Sequence, residues 1–149
     1  MSSYQQIFYH IIFRTKNSEK TLPLEDSSKL YAYIFGFIKN KKCHLYRVNG
    51  MEDHIHIFTD LHPNLALANF MRDLKTSSSL WLKQQEEFKH FKGWADGYAA
   101  LTKSIHEKEQ IINYIKNQQI HHTKEAFNDE FRRLLNEAGI DVNEKYFLK

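Results

Sequence analysis

Two short patterns in this sequence have the residue types and spacing for chemistry at a phosphate. The first is His54-Ile55-His56. On a strand, a side-chain period of two sends both imidazoles to one face and Ile55 and Ile57 to the other. Residues i and i+2 of a strand sit roughly 6 to 7 Å apart at Cα, close enough for two imidazoles to lean onto one cation. The second is Tyr114-Ile115-Lys116-Asn117-Gln118. On a helix, this i to i+4 spacing puts the Tyr114 hydroxyl and the Gln118 amide on one face, about 6 Å apart along the axis. With a pKa of about 10, tyrosine is a poor nucleophile at neutral pH, so its attack on a phosphodiester calls for a cation that polarises the phosphate. Each pattern also has a plainer reading. Alternating histidines suit a solvent-facing strand, and Tyr114 suits packing between Ile111 and Ile115.

The elements that must position these residues are legible from hydrophobic periodicity. Residues 4–14, YQQIFYHIIFR, are rich in aromatic and β-branched side chains and too short for a helix, which predicts a buried strand. Leu30, Tyr33, Ile34, Phe37 and Ile38 recur at spacings of three and four, predicting a helix from Leu24 to about Asn40. Cys43 to Asn49 and His54 to Leu61 read as an antiparallel hairpin turning at Gly50 to Asp53. A second helix opens after Pro63-Asn64, with Leu67, Phe70, Met71, Leu74, Leu80 and Leu82 as its apolar positions and an end near Phe88. A loop around Asp96-Gly97 leads into a last strand ending near Thr102. Ser104 and Glu107 form a capping box ahead of the helix that carries Tyr114. A final helix from about Lys124 to Ala138 stops at Gly139. The order βαββαβ plus two helices predicts an α+β, ferredoxin-like antiparallel sheet with helices over one face.

A chain of 149 residues suits one domain, here read as a sheet core over about 1–104, a tyrosine helix over about 105–122 and a C-terminal helix and tail over about 123–149. With five Gly, two Pro and 42% hydrophobic residues, it has the composition of a packed protein rather than a disordered one. The start lacks a signal-peptide pattern, and no run of about 18 apolar residues occurs, so a cytoplasmic, nucleoid-associated protein is expected. A single cysteine, Cys43, excludes an intrachain disulfide framework and a multi-cysteine zinc site. The formal charge of +3 decides little. The pairing of 21 Lys and Arg with 14% aromatics suits single-stranded nucleic acid, which is held by cationic grooves and stacking rings.

Taken in order, these segments resemble the single-tyrosine HUH transposases of the smallest bacterial insertion sequences and their repeat-associated relatives. The likeness runs through Tyr9 to Lys16, Gly50 to His56, Leu74 to Ser78, Trp94 with Gly97 to Ala100, Tyr114 with Gln118, and a tail from His121-His122 through Phe127, Glu130 and Phe131 to Gly139 and Tyr146. Glu52 stands where that family commonly has proline. The resemblance implies that Tyr114 is the nucleophile and that His54, His56 and Gln118 hold Mg²⁺ or Mn²⁺. It implies cleavage of single-stranded, hairpin-bearing DNA through a 5′-phosphotyrosine, with rejoining by another 3′-OH. It also implies a homodimer, with the site composed in cis or in trans. Arg14, Lys16, Lys75 and Lys103 are the phosphate-binding candidates, Ser78 of the same basic serine-rich helix as Lys75 is a further DNA-binding candidate, and Trp94 and Tyr98 are candidate stacking surfaces. The competing readings are a ferredoxin-like binding module without chemistry, a nickase of the initiator or relaxase type, which normally belongs to a larger chain, and an inactive element copy.

Overall fold

Alternating apolar residues build the sheet around a central strand, β1 (Phe8–Arg14). After it come α1 (Ser27–Asn40), β2 (Leu45–Met51), β3 (His54–Thr59), α2 (Leu67–Lys83) and β4 (Ala99–Lys103), then three helices, α3 (Lys108–Lys116), α4 (Gln118–His121) and α5 (Phe127–Glu137). The computed structural model describes residues 3–121, 124–143 and 147. His122 and Tyr146, part of the tail resemblance, lie outside them. Strand order is β2-β3-β1-β4, with every neighbouring pair antiparallel. Each of the units β1-α1-β2 and β3-α2-β4 skips one strand, and their interleaving is the ferredoxin-like plan.

The two sheet faces have different occupants. Ile11, Phe13, Ile55 and Ile57 point toward α1 and α2, where Leu30, Ile34, Ile38, Phe70, Met71 and Leu74 close the larger core. Burying each such side chain contributes about 1.5–3 kcal/mol. The other face carries His10, Ile12 and Arg14 of β1, in register with Phe58, His56 and His54 of β3. Helices cover this face too, which corrects the expectation of one covered face. Ile111 and Ile115 of α3 pack on Phe8 and Phe58, while Phe127, Leu134 and Leu135 of α5 pack on Ile12, Ala99 and Leu101. The apolar stripes of both helices need a partner, and the second face supplies it.

Several boundaries differ from the sequence reading. β1 begins at Phe8 rather than Tyr4, because its pairing with β4 starts only at Phe8 and that with β3 at Tyr9. α2 ends at Lys83 and a short 3₁₀ turn, Glu86–Phe88, follows. Leu80 lies off the buried stripe of α2 and is 61% exposed. The tyrosine helix is interrupted at Asn117 (φ −96°, ψ 14°), so Gln118 opens a new helix instead of continuing the old one. α5 ends as expected at Gly139, with φ 76°. The Ile140 N–H donates to Leu135 O at 2.9 Å and the Gly139 N–H to Asn136 O at 3.0 Å, which is a Schellman cap.

Candidate active site

The hairpin between β2 and β3 sets the histidines. Met51 pairs with His54, so the turn itself is only Glu52-Asp53. At Gly50 the neighbouring backbone comes so close that an added Cβ would sit 2.2 Å from the His54 carbonyl oxygen. The Glu52 carbonyl accepts the Thr21 and Leu22 N–H groups, each at 3.0 Å, and the Asp53 carbonyl accepts that of Thr15 at 2.9 Å. The segment after β1 thereby clamps the turn. Both imidazoles leave β3 on the face away from α1 and α2 and are fully buried.

Each ring is oriented through its Nδ1. That of His54 lies 2.7 Å from Asp53 Oδ1, and that of His56 lies 2.9 Å from His10 Nε2. Both Nε2 atoms therefore aim at one point, in the arrangement by which metal-binding histidines are usually held. Burial works to lower the His54 pKa, but Asp53 and Glu130 outweigh it and raise the value. Both nitrogens of His54 face oxygen atoms, Nδ1 that of Asp53 and Nε2 those of Gln118 and Glu130. For His10, burial and the neighbouring His56 hold the pKa well below its ordinary value.

The opposite wall comes from the helices. Asn49 on β2 donates from Nδ2 to the carbonyls of Ile115 and Lys116, each at 3.0 Å, and so pins the end of α3 to the sheet. Gln118 follows at the break, fully buried, with Oε1 3.4 Å from His54 Nε2. Its Nε2 donates to Glu130 Oε2 at 2.8 Å. The Tyr114 hydroxyl donates to the same carboxylate oxygen and accepts a bond from an Arg133 terminal nitrogen at 2.9 Å. Arg133 is in turn braced by Glu125 at 3.0 and 3.1 Å and by Glu137 at 3.2 Å. Burial, then Glu130, raise the Tyr114 pKa. Glu130 Oε1 lies 3.3 Å from His56 Nε2 and 3.5 Å from His54 Nε2. Phe127 stacks on His54 with ring centroids 3.9 Å apart.

Tyr114, His54, His56 and Gln118 thus meet within one chain. The sequence reading gave Glu130 and Arg133 no role in the site. One signal was available, since Phe127, Glu130 and Leu134 form an i, i+3, i+7 stripe in which a carboxylate replaces an apolar residue.

The DNA-facing candidates divide. Lys16 is exposed, Tyr98 is 38% exposed, and the Lys103 ammonium lies 4.0 Å from Glu107. Arg14 is buried opposite His54, donates to the Phe147 carbonyl, and has its pKa lowered by that burial. Three others make polar contacts within the chain. Ser78 is fully buried, donating to Leu74 O at 2.6 Å and accepting from Trp94 Nε1 at 2.9 Å. Trp94 packs edge-on to Phe13 with centroids 4.7 Å apart, and the Lys75 ammonium is taken by the Ala95 and Gly97 carbonyls. The aromatic and hydroxyl groups satisfy one another in the core, so these residues build the wall behind the sheet's end.

An antiparallel ferredoxin-like sheet with a buried histidine pair facing a tyrosine helix defines the class of protein. The chain belongs to the IS200-like transposase family, whose model, described as "Transposase IS200 like", matches residues 3–118. It is therefore a DNA transposase. Among its relatives is the transposase for insertion sequence element IS200 of Salmonella typhimurium, 26% identical over 74% of this chain and 75% of that protein. The ISDra2 transposase TnpA of Deinococcus radiodurans is 26% identical over 80% of this chain and 87% of that protein. A crystal structure of a candidate transposase from D. radiodurans R1 superposes with a TM-score of 0.58 at 27% identity, covering 79% of this chain and 95% of that one. A REP-associated tyrosine transposase solved with a REP hairpin shares the fold, with a TM-score of 0.60 at 12% identity over 82% and 74% of the two chains. No helix among the described residues is long and apolar enough to cross a membrane.

Proposed function

We propose that this transposase cuts and rejoins single-stranded DNA through Tyr114, beside a divalent cation, Mg²⁺ or Mn²⁺, held by His54, His56 and Gln118. One observation carries the reading. The Tyr114 hydroxyl and both histidine Nε2 atoms converge on the two oxygens of a single carboxylate, that of Glu130, so nucleophile and imidazoles address one oxyanion-sized position. The surroundings fit a cation, because one nitrogen each of His54 and His56 and a carboxylate oxygen of Glu130 lie within 4.8 Å of one another, and the Gln118 amide oxygen lies 3.4 Å from His54 Nε2. Such a cation supplies Lewis acidity toward a phosphate oxygen. Imidazole nitrogens suit Mn²⁺ better than Mg²⁺, which prefers oxygen ligands and keeps its waters.

The phenolic oxygen of Tyr114 attacks phosphorus in line, the bond from phosphorus to the 3′ oxygen breaks, and a 5′-phosphotyrosine and a 3′-OH result. Attack by the 3′-OH of another strand then releases Tyr114 and restores a phosphodiester. The number of phosphoester bonds is unchanged, so no ATP is consumed. Arg133 holds the phenolic oxygen in position for both directions. Lys16, Lys103 and Arg14 are the phosphate-binding residues of this reading, and Tyr98 is its stacking surface. Hairpin-bearing DNA is the proposed substrate, supported by the fold shared with the transposase solved on a REP hairpin. The assembled form is proposed to be a homodimer whose sites are each composed in one chain.

The test is a covalent adduct. Wild-type protein incubated with a labelled hairpin-bearing single strand and Mn²⁺ is expected to give a denaturant-resistant protein–DNA species that Tyr114→Phe does not form. Cleavage that persists in Tyr114→Phe removes Tyr114 from the mechanism, and binding without cleavage by the wild type favours a module without chemistry.

A further inference from the structure

The stretch matched by the family model ends at Gln118, yet the carboxylate at the centre of the site comes from α5, beyond it. Glu130 is fully buried. Its place in the stripe between Phe127 and Leu134 commits its side chain to the sheet face that carries the histidines. There, Tyr114 and Gln118 both donate to Oε2, which turns Oε1 toward the two imidazoles at 3.3 and 3.5 Å. Gln118 contacts only one of those imidazoles, His54, through its own oxygen.

Charge separates the two oxygens as ligands. Two neutral imidazoles and an amide would leave a divalent ion with its whole charge in an enclosed site, where desolvation of an unneutralised ion is unfavourable. A carboxylate halves that net charge and supplies the anionic oxygen that Mg²⁺ and Mn²⁺ favour. Glu130 meets both histidines, while the Gln118 amide already spends its N–H on orienting Glu130.

We infer that in the DNA-free protein Glu130 is a direct ligand of the divalent cation together with His54 and His56, and that Gln118 acts there as the hydrogen-bond partner that aims Glu130. This rests on the reading that the histidine pair holds a cation.

Calorimetric titration of Mn²⁺ into the DNA-free full-length chain tests it. Glu130→Gln keeps the size of the side chain and is expected to weaken Mn²⁺ about tenfold or more, against about threefold at most for Gln118→Ala, whereas His56→Ala abolishes binding. Equal Mn²⁺ affinity in wild type and Glu130→Gln, with binding still lost in His56→Ala, overturns the inference and leaves the cation reading standing. Absence of Mn²⁺ binding by the wild type overturns both. Electron–nuclear double resonance of Mn²⁺ on wild-type protein with ¹³C-carboxyl glutamate needs no folded variant. A coupling from one directly bound carboxylate is expected, and its absence overturns the assignment.

Discussion

His10 and His56 lie ring against ring on paired strands, with Nε2 of His10 2.9 Å from Nδ1 of His56 and the ring planes 28° apart. The contact is diagonal across the register, since Ile12, not His10, stands opposite His56. It fixes the rotation of His56 and so the aim of its Nε2. His10→Ala is expected to lower Mn²⁺ affinity about tenfold by calorimetry, the usual scale for losing an outer partner of a ligand histidine. An unchanged affinity would show that packing alone orients the ring.

Gly50→Ala is expected to destabilise the protein by about 3 kcal/mol, because the new Cβ meets backbone, which cannot swing aside as a side chain would. The His54 carbonyl is the first atom displaced, so Mn²⁺ affinity should fall together with the melting temperature. Thermal unfolding and metal titration of the same preparation check both.

Leu74→Ala removes a fully buried side chain from the core beneath the other sheet face and is expected to cost about 3 kcal/mol in chemical denaturation. The sheet stands between this cavity and the histidines. Mn²⁺ affinity of the folded variant should therefore stay within about twofold of wild type, as for distant sites without shared partners.

The capping box ahead of α3 makes a prediction with a sign in pH. Ser104 N–H donates to Glu107 Oε1 at 3.0 Å, and this backbone bond holds the Glu107 carboxyl below its ordinary value of 4.5. A depressed carboxylate pKa contributes stability above the unfolded value and loses it as pH falls through the folded value. The stability difference between wild type and Glu107→Gln should therefore be present at neutral pH and fade below about pH 4.5. Ser104→Ala should cost about 1 kcal/mol at neutral pH in equilibrium denaturation.

Legibility followed the range of the interaction. The His54-Ile55-His56 alternation, the Ser104 and Glu107 box and the Gly139 stop are local patterns, and each appears in the fold where its period or cap chemistry places it. Ser78, Trp94 and Lys75 are DNA-binding candidates by residue type and by resemblance. The contacts they make within the chain join segments 16 to 22 residues apart, which no local pattern encodes. The exposed Leu80 shows the same limit within a single helix, where apolar type and buried face part company.

By itself, then, the sequence determined the order of elements, the face shared by His54 and His56, and the helix that carries Tyr114, because side-chain period and capping act within a few residues. Only the tertiary structure decided that β1 pairs with β3 so as to set His10 beside His56. It also decided that Asn117 breaks the tyrosine helix, and that α5 folds back to bring Glu130 and Arg133 onto Tyr114. Those relations depend on strand register and on which apolar stripe covers which face, and both are settled by the packing of the whole chain.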